Sequence, residues 1–276
     1  MKMADRILII VLAIALFLIS LPKILRLLGF HPDYKRKDYN FEDRKALIIT
    51  TSHDTLTKSG KPTGVYASEM TVPYYEFKKN GLEVELASIN GGKIPIEPFS
   101  LKWPLKTEAD QKFLNDQDFL NKAENSIPIH EINIDDYDLI FLAGGWGAAY
   151  DLGQSEELGQ KITEAYSQNK IIGAVCHGPL GLLKAVDENG NALVKDKKIT
   201  AVTDKQIKEL RITETPYHPE TELKKAGANF KSNNRLFDTL ANNIEVDENI
   251  ITGQNQNAAG ETAQIMMKSL SEKPDS

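Results

Sequence analysis

The chain has 276 residues, 41% hydrophobic and 26% charged, which is enough for one large α/β domain or two small ones, and a single domain is favoured. A net charge of −6 with scattered Lys/Glu pairs leaves no basic stripe for a phosphate backbone, so nucleic acid is not expected as a partner. One cysteine excludes an internal disulfide framework and a four-cysteine zinc site while leaving the redox compartment open.

Residues 1–29 read as an N-terminal membrane anchor. Ile7 to Leu21 is an uncharged apolar run, short of the roughly 20 residues that a spanning helix prefers, and Ile24, Leu25, Leu27 and Leu28 extend it. A cleaved signal peptide is the competing reading. Against cleavage, Ala13-Ile14-Ala15 lies inside the run, and Leu21-Pro22-Lys23 offers no suitable site. Lys2 and Arg6 precede the run, whereas Lys23, Arg26, Lys35, Arg36 and Lys37 follow it, which leans the domain toward the cytoplasmic side. Residues 30–44 are polar, carry Pro32 and read as a tether.

The folded part is expected over residues 45–270. Ala46 to Thr51, Val84 to Ser88, Leu139 to Ala143 and Ile171 to Val175 are continuous apolar runs suited to strands buried on both faces. Helix-like stretches lie between them at Ser68 to Asn80, Glu156 to Gln168 and Gly178 to Ala185. This alternation implies an α/β fold with a parallel sheet covered on both sides, its site at the carboxyl ends of the strands. Pro98 to Asn125 reads as an excursion from the sheet, and residues 271–276 as a disordered polar tail.

Ile171 to Val175 breaks sharply into Cys176-His177-Gly178-Pro179, the shape of a nucleophile elbow, where a turn into a helix holds the thiol proud of the sheet and helix N–H groups favour its thiolate. The plain alternative is a small buried hydrophobe. Gly144-Gly145-Trp146-Gly147 follows another strand end, yet it lacks the Lys-Ser/Thr of a phosphate loop and the GxGxxG spacing. His53, Asp54 and Glu69 could gather at strand ends, but without the close His spacing of a zinc site, so no metal is assigned.

Four ordered segments carry a family resemblance: Gly64 to Glu69 with Pro73-Tyr74, Ala87 to Gly92, Ala143 to Gly147 with Asp151, and Ala174 to Pro179. Together they resemble the DJ-1/PfpI superfamily, specifically its Hsp31-like branch, over roughly Lys45 to Leu270. Ile251 to Asn255 and Pro219 to Leu223 fit the same branch. The resemblance implies a class I glutamine amidotransferase-like fold, a flavodoxin-like three-layer sandwich with a mostly parallel sheet and Cys176 at the elbow. It also implies that the Glu69 carboxyl approaches the thiol, where a protonated acid would stabilise a thiolate and an ionised one would repel it. Without the resemblance, Glu69 reads as a solvated glutamate at a helix start.

The backbone N–H groups of His177, Gly144 and Gly145 are expected to form an oxyanion hole, with the His177 imidazole as acid or base, or else as a buried structural histidine. Two departures from the branch stand out. Trp146, read as a pocket wall, replaces a histidine, and the place of the acid that orients the catalytic histidine holds Gln206 or Ile207, leaving Asp204, Glu209 and Glu214 as candidates.

The activity so implied is that of a cofactor-independent, glutathione-independent glyoxalase, which converts methylglyoxal and water to lactate, or of a deglycase acting on glycation adducts. Small dicarbonyls would be the substrates. The alternatives are a membrane-tethered chaperone or cysteine redox sensor and, ranked lower, a PfpI-like peptidase or amidase. A homodimer is implied by resemblance alone.

Overall fold

The computed structural model describes residues 3–273. Residues 274–276 of the expected tail lie outside them, and Ser271 closes a helix. The chain begins with α1 (Met3–Leu28), continues through β1 (Lys45–Thr50), α2 (Ala67–Lys79) and β2 (Glu83–Ser88), and then makes an excursion through α3 (Glu108–Phe113) and α4 (Gln117–Glu124). Next come β3 (Ile127–Pro128), β4 (Leu139–Leu142), α5 (Ala148–Asp151), α6 (Glu156–Ser167) and β5 (Ile171–Val175). The remainder holds β6 (Lys198–Ile199), α7 (Asp204–Glu209), α8 (Pro219–Lys225), β7 (Asn229–Phe230), β8 (Ile244–Asp247), β9 (Ile250–Gly253) and α9 (Ala259–Ser271).

Seven strands form one sheet in the order β3-β2-β1-β4-β5-β9-β8, parallel except for the antiparallel edge β8; β6 and β7 form a separate pair. Strand β1 shows why this is a three-layer sandwich. Ala46 and Ile48 face a core shared with Met70, Tyr74 and Phe77 of α2 and with Met266 of α9, whereas Leu47 and Ile49 face one shared with Leu158 and Ile162 of α6. All four residues are fully buried, which accounts for a run apolar at every position. From β1 the chain moves outward one way to β2 and β3, then returns to build β4, β5 and β9 on the other side. The carboxyl ends around β1, β4 and β5 therefore border a topological switch point, the usual crevice of such sheets.

Two expectations change. The stretch from Gly178 to Ala185 is no α-helix but a short 3₁₀ turn over Gly178–Leu182, where Gly178 and Gly181 weaken an α-helix and Pro179 brings no N–H. Residues 30–44 lie along the domain as a strap. Phe30 and Phe41 are buried, the Tyr34 hydroxyl donates to Glu76 at 2.6 Å, the Lys37 N–H to Gln264 at 3.1 Å and the Tyr39 N–H to Asn80 at 2.6 Å. Helix α1, by contrast, has no buried residue.

Candidate active site

The turn after β5 positions Cys176. Its φ is +59°, a left-handed conformation that costs a non-glycine residue free energy, and one backbone bond on either side holds it there. The Cys176 N–H donates to the Gly253 carbonyl of β9 at 3.0 Å, and its carbonyl accepts from Val202 at 3.0 Å. The side chain is 6% exposed. Because the following helix is one short 3₁₀ turn, the dipole support expected for a thiolate is small. Burial and the neighbouring Glu69 carboxyl push the Cys176 thiol well above its ordinary value, opposed by the Gly145 and His177 N–H groups that face the sulfur.

Glu69 sits in the first turn of α2 and is completely buried, not a solvated cap. Its Oε2 accepts from the Gly144 N–H at 2.9 Å, while the carboxyl also bears directly on the Cys176 thiol. Gly144 is thereby removed from the expected oxyanion hole, since its N–H is already spent on the carboxylate side chain. Burial pushes Glu69 up to about 8, against the lowering effect of these two hydrogen bonds. Thiol and carboxyl form one coupled pair, and its second proton is hard to remove.

Gly145 has φ of +100°, and a β-carbon there would collide with the Tyr66 N–H and the Gly64 carbonyl. Gly145→Ala is accordingly expected to destabilise the fold by about 1–3 kcal/mol and to displace an N–H from the sulfur. A thermal-unfolding midpoint equal to that of the unaltered chain would contradict this.

The His177 ring is fully buried, its Nδ1 3.5 Å from the Cys176 sulfur and its Nε2 without a hydrogen-bond partner. Desolvation, with a smaller contribution from His218, pushes it down to about 3, so the ring is neutral at physiological pH. None of the three candidate acids bonds to it. Asp204 pairs with His218 at 3.3 Å and accepts from Thr221, Glu209 accepts from the Asp238 N–H, and Glu214 accepts from the Lys58 and Ser59 N–H groups. Gln206, in the place of the missing acid, lines the cavity beside Cys176 and accepts from Asn255.

That cavity measures about 50 Å³ and brings together Cys176, His177, Glu69, Gly145 and Trp146. Trp146 does form part of the wall. Space of this size holds roughly three to five waters, enough for a very small molecule. Among the described residues no group of three or more His, Cys, Asp or Glu is arranged for a metal ion; His53 instead stacks on Tyr150 with ring centres 4.0 Å apart. Tyr66, within the Gly64 to Glu69 motif, also lines the cavity, as does Phe30, to which the sequence did not point, since a lone aromatic beyond an apolar helix carries no recognisable signal.

Residues 62–269 match the family model described as the DJ-1/PfpI family. A Schizosaccharomyces pombe protein named glutathione-independent glyoxalase hsp3102 is 29% identical, the match covering 82% of this chain and 98% of that protein. Glyoxalase 3 of Candida albicans is 29% identical over 79% of this chain and 94% of its own length. Among solved structures, the glyoxalase III of Candida albicans superposes with a TM-score of 0.75 at 27% identity, covering 83% of this chain and 98% of that one. The Rapid Encystment Protein 24 KDa of Francisella tularensis gives 0.76 at 33% identity, covering 82% and 99%.

Proposed function

The chain belongs to the DJ-1/PfpI family, and from this and the cysteine–carboxyl pair we propose that it is a glutathione-independent glyoxalase acting on methylglyoxal or a similarly small dicarbonyl. The observation that carries the reading is a buried Glu69, held up to about 8, directly against Cys176 in a cavity of about 50 Å³. The named glyoxalases that this chain resembles along most of their length support it.

In this reading the Cys176 sulfur attacks the aldehyde carbon, its proton having passed to Glu69, and a hemithioacetal forms. The oxygen gains negative charge next to the sulfur that the Gly145 and His177 N–H groups face, and those groups would donate to it. A proton then leaves the former aldehyde carbon and another is delivered to the adjacent ketone carbon, giving the thioester of lactate with no net oxidation. Water hydrolyses the thioester and restores the thiol. Glu69 is the fitting shuttle, because an acid near 8 gives up and takes protons close to neutral pH, whereas His177 near 3 is too weak a base. His177 contributes its N–H and fills the space beside the sulfur. The buried, raised thiol also argues against a freely oxidised sensor cysteine.

The same proposal includes anchoring through α1. A helix of 26 residues at about 1.5 Å per residue exceeds the roughly 30 Å hydrocarbon core, and none of its apolar residues is buried in the structure. The domain would lie on the cytoplasmic side, and a homodimer would be the assembly.

The test uses the full chain. It is expected to stay in the membrane pellet after carbonate extraction and, once purified in detergent, to form lactate from methylglyoxal over many turnovers without glutathione, followed by an enantiomer-specific assay. Lactate no faster than with Cys176→Ala would refute the activity, and release by carbonate would refute the anchor.

A further inference from the structure

The wall of the active-site cavity is completed by a residue from outside the family-matched region. Phe30 lies two residues beyond the end of α1 at Leu28, is 7% exposed and lines the same cavity as Cys176. Three contacts fix the chain around it. Gly29 runs so close to the Leu240 carbonyl that a β-carbon would stand 2.5 Å from it, at a φ of +109°. The Phe30 N–H donates to the Leu25 carbonyl at 2.9 Å and the Gly29 N–H to the Arg26 carbonyl at 3.0 Å, a cap that ends the helix. The His31 N–H donates to Asn257 Oδ1 at 2.9 Å, beside the cavity-lining Gln256.

A second, larger hollow of about 500 Å³ lies at the foot of α1, between the strap and the region around α3. Phe30 and Gln256 line both spaces. Phe30 therefore stands where a small reactive chamber and a roomy one adjoin.

We infer that Phe30 is a specificity-determining residue: the strap closes the chamber so that short aliphatic dicarbonyls fit and aryl dicarbonyls do not. The inference rests on the glyoxalase reading for its substrates, but the partition itself is independent of turnover. Removing the ring joins the chamber to the larger hollow and leaves room for a phenyl group, since a void of about 150 Å³ accepts benzene. A phenyl-bearing substrate would then supply the group that the protein lost.

The experiment compares the full chain with Phe30→Ala and Phe30→Leu on methylglyoxal and phenylglyoxal, following the two hydroxy acids formed. Phe30→Ala is expected to raise the ratio of kcat/KM for phenylglyoxal to that for methylglyoxal by about tenfold or more, with Phe30→Leu in between. The same proteins are alkylated at Cys176 with iodoacetamide and with N-phenylmaleimide, and the alanine variant should favour the bulkier reagent by a similar factor. If no chain turns over either substrate, the glyoxalase reading falls and the alkylation ratio alone decides the role of Phe30. Should Phe30→Ala fail to fold, Phe30→Leu decides. Ratios within about twofold of the unaltered chain would overturn the partition.

Discussion

Cys176→Ser in the full chain is expected to lower lactate formation from methylglyoxal by about 10³-fold or more, with secondary structure and unfolding midpoint little changed. Serine keeps the size and position of the side chain, so the Gly253 and Val202 backbone bonds at the elbow have no reason to break. The chemistry does change. Even with burial pushing the thiol up, sulfur remains far more acidic and nucleophilic than a hydroxyl in the same place. Glu69 near 8 cannot accept a proton from an unactivated alcohol to a useful extent. A serine variant retaining more than about a tenth of the rate would move the nucleophile elsewhere.

Glu69→Gln is expected to cost about 10²–10⁴ in kcat, because it removes the group proposed to move the proton between carbons. The amide oxygen can still accept from the Gly144 N–H, so the local fold is retained. The pH profile separates a chemical role from a structural one. In the unaltered chain kcat/KM should rise as pH climbs toward about 8, where the coupled pair loses a proton, and the variant should lack that limb. Stability carries the opposite sign. With the folded value raised from 4.5 to about 8, the favourable contribution of Glu69 is complete below 4.5 and is lost as pH rises through about 8. The unaltered chain should therefore lose stability relative to Glu69→Gln across that window, which thermal unfolding at several pH values would measure. An unchanged rising limb in the variant would assign it to another group.

Strands β1, β4 and β5 were legible because each is buried on both faces, and Ile171–Val175 ends where its apolar run ends; the equally buried β9, Ile250–Gly253, was not read as a strand, its apolar run being only two isoleucines long. The two-residue strands Ile127–Pro128, Lys198–Ile199 and Asn229–Phe230 are too short to leave any periodicity. The half-buried edge Ile244–Asp247 mixes polar and apolar side chains without a clean alternation. At the site, the motif order brought Cys176, His177, Gly145 and Glu69 to one place, and the cavity contains all four. Which glycine N–H would serve the sulfur was not readable, because it depends on where a buried carboxylate oxygen settles. Gly144 satisfies Glu69 and Gly145 is left. Nor could spacing reveal that His177 Nε2 has no acid beside it.

Under the anchoring proposed above, strand β1 takes on a mechanical meaning. The chain passes from α1 through the strap straight into Lys45, the first residue of a strand held on both sides, by β2 and by β4, near the middle of the sheet. Tension between bilayer and domain would first strip the strap's few side-chain bonds, starting with His31 to Asn257, before it could load the paired strands in shear. Under such traction the strap would yield first beside Phe30, so a pull on α1 would breach the reactive chamber while the sheet stayed whole.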